Sequence, residues 1–161
     1  MATVNQNAVK YGIGSGEGYD KVVHPCNDAS FPIKQGELVY LDTTAHIIKP
    51  IASDANAATL AGVALQPSHV SSNLDNSSAI SAQKSVVVGS KVVAFFKTKA
   101  ADVYHHGDLV YFDTDAQTVT VTAGTNAIGR VVFSPALNAA GVTSITGAAG
   151  VTVDVLVKSA L

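Results

Sequence analysis

The chain has 161 residues, of which 47% are hydrophobic and only 14% charged, with a formal net charge of −2; a typical soluble domain carries about 25% charged residues. Its ten Lys and Arg residues are scattered along the sequence, so nucleic-acid binding, which needs clustered Lys and Arg, is not expected. No apolar run reaches the roughly 18 residues of a membrane span, and Cys26, the single cysteine, leaves no intrachain disulfide.

In chain order, Met1 to Lys10 is polar and lacks the apolar core of a secretory signal. With one cysteine, this makes a reducing cytosol the expected site of synthesis. Four glycines follow within Tyr11-Gly12-Ile13-Gly14-Ser15-Gly16-Glu17-Gly18. Such a run holds no helix and weakens a strand, so residues 1–30 are expected to form an extended arm. Val9, Tyr11, Ile13, Tyr19, Val22 and Val23 supply it with apolar anchors, and Val9, Tyr11 and Ile13 alternate as an added edge strand would. These six residues are the candidate interface, expected to bind a neighbouring subunit, with folding back onto its own barrel as the alternative.

From Phe31 onward the spacing predicts short strands: Leu38–Leu41, His46–Ile51, Leu60–Leu65, Ser85–Val88, Lys91–Lys97, Leu109–Phe112, Thr118–Thr122, Ile128–Phe133 and Val151–Lys158. Val and Thr dominate them, and β-branched side chains suit a pleated sheet. The only helix candidate is Asp54–Ala61, with Asp54 as its N-cap. Gln66–Lys84 and Ala136–Gly150 read as long surface loops.

The chain repeats itself. Gly36-Glu37-Leu38-Val39-Tyr40-Leu41-Asp42-Thr43-Thr44-Ala45 aligns with Gly107-Asp108-Leu109-Val110-Tyr111-Phe112-Asp113-Thr114-Asp115-Ala116, with seven of ten positions identical. Gly62-Val63-Ala64-Leu65 parallels Gly129-Arg130-Val131-Val132-Phe133. The separation is 71 residues for the first pair of glycines and 67 for the second. In each unit the Gly-acid pair turns the chain into a strand, and Asp-Thr turns it out again. Two units are too few for a solenoid. The expected fold is all-β: a small barrel or sandwich over residues 31–161, built from two related hairpin units at 36–65 and 107–133.

Signals for chemistry are weak. Gly12-Ile13-Gly14-Ser15-Gly16 lacks the ending of a phosphate loop and the flanking strand and helix of a dinucleotide site. His105 and His106, with Asp102 and Asp108, have the residue types of a metal site. Adjacent strand residues point to opposite faces, however, so both histidines rarely reach one ion. Asp113-Thr114-Asp115 is a fragment of a calcium loop without its glycine and later Glu. Cys26 and His24 lie close in sequence, but nothing there lowers a thiol pKa. No catalytic, cofactor-binding or metal-ligating residue is expected, and a small hydrolase is the least supported reading.

The order of Gly-acid-Leu-Val-Tyr, turn, Gly-Val-Ala-Leu, then Val86-Val87-Val88-Gly89 and Val92–Phe96 carries a resemblance. The hairpin recurs as Gly107–Asp113 with Ile128-Gly129-Arg130-Val131-Val132, and Val151–Val157 closes the chain. This arrangement is similar to the small β-barrel decoration, or cement, proteins of tailed bacteriophage heads, over about residues 31–160. The resemblance implies a non-enzymatic virion protein, made in the host cytoplasm and bound to the major capsid protein on the outer surface of the head. It further implies a homotrimer that resists the pressure of packaged DNA, with no membrane or direct nucleic-acid partner. The alternative is a carbohydrate- or receptor-binding β module such as a head fibre, for which five Tyr and no Trp are a poorer fit.

Overall fold

A computed structural model describes residues 9–12, 20–27, 30–65, 85–113, 118–133 and 138–160. These residues are nearly all β. The strands are β1 (Val9–Gly12), β2 (Asp20–Pro25), β3 (Leu38–Asp42), β4 (Ile47–Pro50), β5 (Leu60–Ala64), β6 (Ser85–Ser90) and β7 (Val92–Thr98). They continue as β8 (Val103–His105), β9 (Leu109–Phe112), β10 (Thr118–Thr120), β11 (Ala127–Val131), β12 (Ser144–Thr146) and β13 (Thr152–Val157).

The strands form two rings of the same design. In the first the order is β2-β6-β5-β3-β4, and a parallel bridge between Cys26 and Ile48 joins its two ends. In the second the order is β7-β10-β9-β11-β13, closed by the pairing of β13 back onto β7. Each strand of the first ring has a counterpart in the second: β2 in β7, β3 in β9, β4 in β10, β5 in β11 and β6 in β13. The neighbours agree in every case. The hairpins β3–β4 and β9–β10 are antiparallel, as are β3–β5 and β9–β11. The closing contact is parallel in both rings, Cys26 with Ile48 and Thr98 with Val119.

The correspondence reaches individual residues. Val39 faces Gly62 and Tyr40 faces Leu60, leaving Ala61 as a bulge. Val110 faces Gly129 and Tyr111 faces Ala127, leaving Ile128 in the same place. Gly36 and Gly107 both have positive φ, 84° and 91°, a conformation that costs glycine little. Their N–H groups donate to the carbonyls of Ala64 and Val131. Each turn is held by its acid: Glu37 accepts from the Lys34 N–H at 2.9 Å, and Asp108 from the His105 N–H at 2.7 Å.

Alternation along the strands sorts the side chains into two buried clusters. Cys26, Ile33, Val39, Ile48, Ala64 and Val86 fill the first barrel. The second cluster, around Phe96, Tyr104, Val110, Phe112, Ile128 and Val155, fills the second barrel. It continues out to Leu38, Ile51, Leu60 and Val63 on the outer face of the first. The barrels therefore share a core boundary, with the second covering one face of the first. Tyr104 is fully buried; its hydroxyl donates to the Val119 carbonyl at 2.6 Å and accepts from the Lys99 N–H at 3.0 Å. Burial pushes its pKa up to about 12.

Several local expectations are corrected. Asp54–Thr59 is a 3-10 helix rather than an α-helix, and its N-cap is Ser53, not Asp54. The Asp54 carboxylate accepts from the N–H groups of Thr125 and Asn126 instead, 2.9 and 3.4 Å away, and so links the two barrels. Ala136–Gly150 is not all loop, because Ser144–Thr146 forms β12 and pairs antiparallel with β8. The stretch 1–30 contains two strands, each paired within the chain: β1 on β7 and β2 on β6. Gln66–Lys84 lies outside the described residues apart from its neighbours at either end.

Turn chemistry also sets a pH dependence. The Asp42 carboxylate accepts from Lys49 Nζ at 2.5 Å and from the N–H groups of Thr44 and Ala45, both at 2.9 Å. The Lys49 bond first, and the two backbone bonds after it, hold the pKa down to about 2. A carboxylate with its folded pKa below the unfolded value adds stability above about pH 4, and that stability is lost as the pH falls through 2. Thermal unfolding should therefore occur at progressively lower temperature from about pH 4 downward. Asp42→Asn should flatten that part of the profile; an unchanged slope in the variant would refute the assignment.

Candidate interaction surface

The residues with chemical potential are already used by the fold. The Asp108 Oδ2 that accepts from the His105 N–H also lies 3.3 Å from the His105 ring Nδ1. His106 stacks obliquely on Phe133 with ring centroids 5.9 Å apart, and its Nδ1 accepts from the Phe133 N–H. Asp102 accepts from the Thr120 hydroxyl at 2.5 Å and the Val121 N–H at 3.1 Å. Asp113 accepts from the Thr118 hydroxyl and lies 3.7 Å from Lys99 Nζ; Asp115 lies outside the described residues. Among the described residues no three His, Cys, Asp or Glu side chains converge on a metal position. Cys26 is buried in the first barrel.

The surface is more informative. Five large apolar side chains stand exposed among the described residues: Val22, Val23, Phe31, Val103 and Leu109. Two of them belong to the candidate interface of the sequence. Val22 and Val23 lie on β2, 49% and 65% exposed. Val9 and Tyr11 lie on β1, where the backbone pairs with Ala94 and Val93, but their side chains are outside the described residues. Ile13 and Tyr19 are outside them altogether. Of the six, the structure thus exposes Val22 and Val23, which as neighbours on β2 face opposite sides of the strand, and puts the backbone of Val9 and Tyr11 on the other barrel.

Two depressions flank this region. One, of about 600 Å³, opens at the mouth of the first barrel and is lined by Val22, His24, Ala61, Val88 and Ser90, with Lys21 and Lys91 at its edge. Partial burial here pulls the His24 imidazole below its ordinary pKa. The other, of about 490 Å³, lies on the second barrel between Leu109, Ala127, Gly129 and Leu156, with Arg130 and Lys158 beside them. The second lining is aliphatic with cationic edges, whereas the first mixes Val22, Ala61 and Val88 with His24, Ser90 and Ser159. The Leu109 surface can bury apolar area against a partner. The sequence did not single out this second surface. Leu109 occupies the same place in its unit as Leu38, which is completely buried, and only the arrangement of the two barrels tells them apart.

No protein-family model matches the chain, and no curated protein matches it.

Proposed function

We propose that the protein is a structural component of bacteriophage heads, binding the major capsid protein on the outer surface as a homotrimer and stabilising the head against the pressure of packaged DNA. The observation that carries this reading is the exposed aliphatic surface on a chain with very little charge. Exposed apolar patches mark sites of protein association, and capsid decoration is association without chemistry. The ordered repeat, by which the chain resembles decoration proteins, supports the same reading. An all-β body of short, paired strands suits a part that must bear load rather than change shape.

The test is to follow the protein through infection. It should sediment with mature particles, leave them under mild dissociation, and return on mixing. Particles stripped of it should release DNA at a lower temperature than decorated ones. A protein that never sediments with particles would overturn the proposal.

A further inference from the structure

The outer face of the second barrel carries an aliphatic trough edged by cations. The register sets Leu109, Arg130 and Leu156 side by side across β9, β11 and β13. Their chain neighbours Val110, Val131, Val155 and Val157 are buried, so the row itself faces outward. Leu109 is 40% exposed. The depression of about 490 Å³ lies along this row, with Ala127 and Gly129 in its lining. Gly129 admits no side chain, since a Cβ there would stand 2.3 Å from the Leu156 carbonyl oxygen. On its other side Leu109 borders a second depression, of about 470 Å³, that reaches Tyr111 and Val121 with Asp108 beside them. Leu109 is thus an exposed ridge between two open hollows. A small-molecule site encloses about 70–90% of its ligand, whereas a ridge of this kind suits a docked protein surface.

Charge indicates what that surface carries. No acid lines the trough among the described residues. Neither Arg130 nor Lys158 has a carboxylate partner among them. One Arg130 N–H donates to the Gly107 carbonyl at 2.9 Å. That bond tethers the guanidinium near the start of β9 and leaves its other donors for a carboxylate. Lys158 follows Leu156 by two residues and lines the same trough. We propose that the Leu109 face docks on the capsid protein where an aliphatic side chain is flanked by carboxylates: the side chain enters the trough, and the carboxylates meet Arg130 and Lys158. Opposite charges then face each other across the rim, and salt weakens the association.

The inference rests on capsid binding as the proposed function and assigns its surface. Cosedimentation of the full chain with particles stripped of it provides the test. Wild-type binding should weaken as salt rises. Arg130→Gln should bind about tenfold more weakly or worse, because it leaves a partner carboxylate unpaired, and both it and Lys158→Gln should flatten the salt dependence. Leu109→Asp should lose at least as much as Arg130→Gln, with Leu109→Ser in its place if the aspartate variant fails to fold. Lys34→Gln removes a cation that lines neither hollow and should bind as the wild type does. Variants of the face that bind like the wild type, or an equal loss in Lys34→Gln, would overturn the inference and leave capsid binding standing. A wild type that never binds particles would overturn both. A Leu109→Asp protein whose mass by light scattering differs from that of the wild type would assign the face to a second copy. Micromolar binding of decanoate that disappears in Arg130→Gln would assign it to a small amphiphile. Either result would overturn the docking.

Discussion

Gly62→Ala will destabilise the protein more than any other single-methyl addition in the paired strands, and Gly129→Ala will follow it. A Cβ at Gly62 would stand 2.1 Å from the Gly89 carbonyl oxygen. Backbone occupies that space, so no side-chain rotation relieves the clash. The residue also has φ +144°, where an L side chain is strained. Overpacking of this kind costs about 1–3 kcal/mol, and holding a non-glycine residue in such a conformation costs about 1–3 kcal/mol more. At Gly129 the Cβ would meet the Leu156 carbonyl oxygen at 2.3 Å. Overpacking applies there as well, so its loss is about 1–3 kcal/mol. Urea denaturation of both variants gives the comparison. A Gly62→Ala protein as stable as the wild type would show that the β5 bulge and the β6 strand do not approach as described.

Phe96→Ala is the second large effect. Phe96 is completely buried in the second barrel, and removing a buried aromatic ring costs about 3–5 kcal/mol in lost transfer energy and residual cavity. That is a large share of the roughly 5–15 kcal/mol by which a domain is stable. Its counterpart in the first barrel is His24, which lines the open mouth rather than a packed centre. His24→Ala should therefore change stability by no more than about 0.5 kcal/mol. Equal losses for the two substitutions in the same denaturation experiment would mean that the barrels are filled alike and that the mouth is not open.

The contrast between Phe96 and His24 also marks what could be read from the chain in advance. The hairpins β3–β4 and β9–β10 were legible because Gly-acid turns and alternating Val, Leu and Tyr persist in both copies. The strands that complete each ring were not. Val22-Val23-His24-Pro25 and Ala94-Phe95-Phe96-Lys97 occupy matching places but share no residue, since one borders solvent and the other fills a core. Hence the first strand of the first barrel lay inside what reads as a glycine-rich arm. The strands β8 and β12 have three residues each, too few for any periodicity. Asp54 has the chemistry of a local cap, yet its partners Thr125 and Asn126 lie some 71 positions away, and local spacing carries no trace of them. The candidate surface was half visible: Val22 and Val23 stood out as apolar residues in a polar, glycine-rich segment. Leu109 did not, because the same residue type at the same place in the repeat is buried in one barrel and exposed in the other.

The covering of Leu38, Leu60 and Val63 by the second barrel bears on how the chain is made. The first barrel has all its strands once Ser90 has been added, but the surface that hides these three side chains is not complete until the tail reaches Ala160. At about 5–20 residues per second, the roughly 70 residues between Ser90 and Ala160 take on the order of 4–14 s to synthesise. During that interval a nascent half-molecule presents an aliphatic face while still tethered to its ribosome. Neighbouring ribosomes on one message hold such halves close together. Until the second barrel is in place that face is uncovered, and exposed apolar surface of this kind is where wrong contacts form during folding.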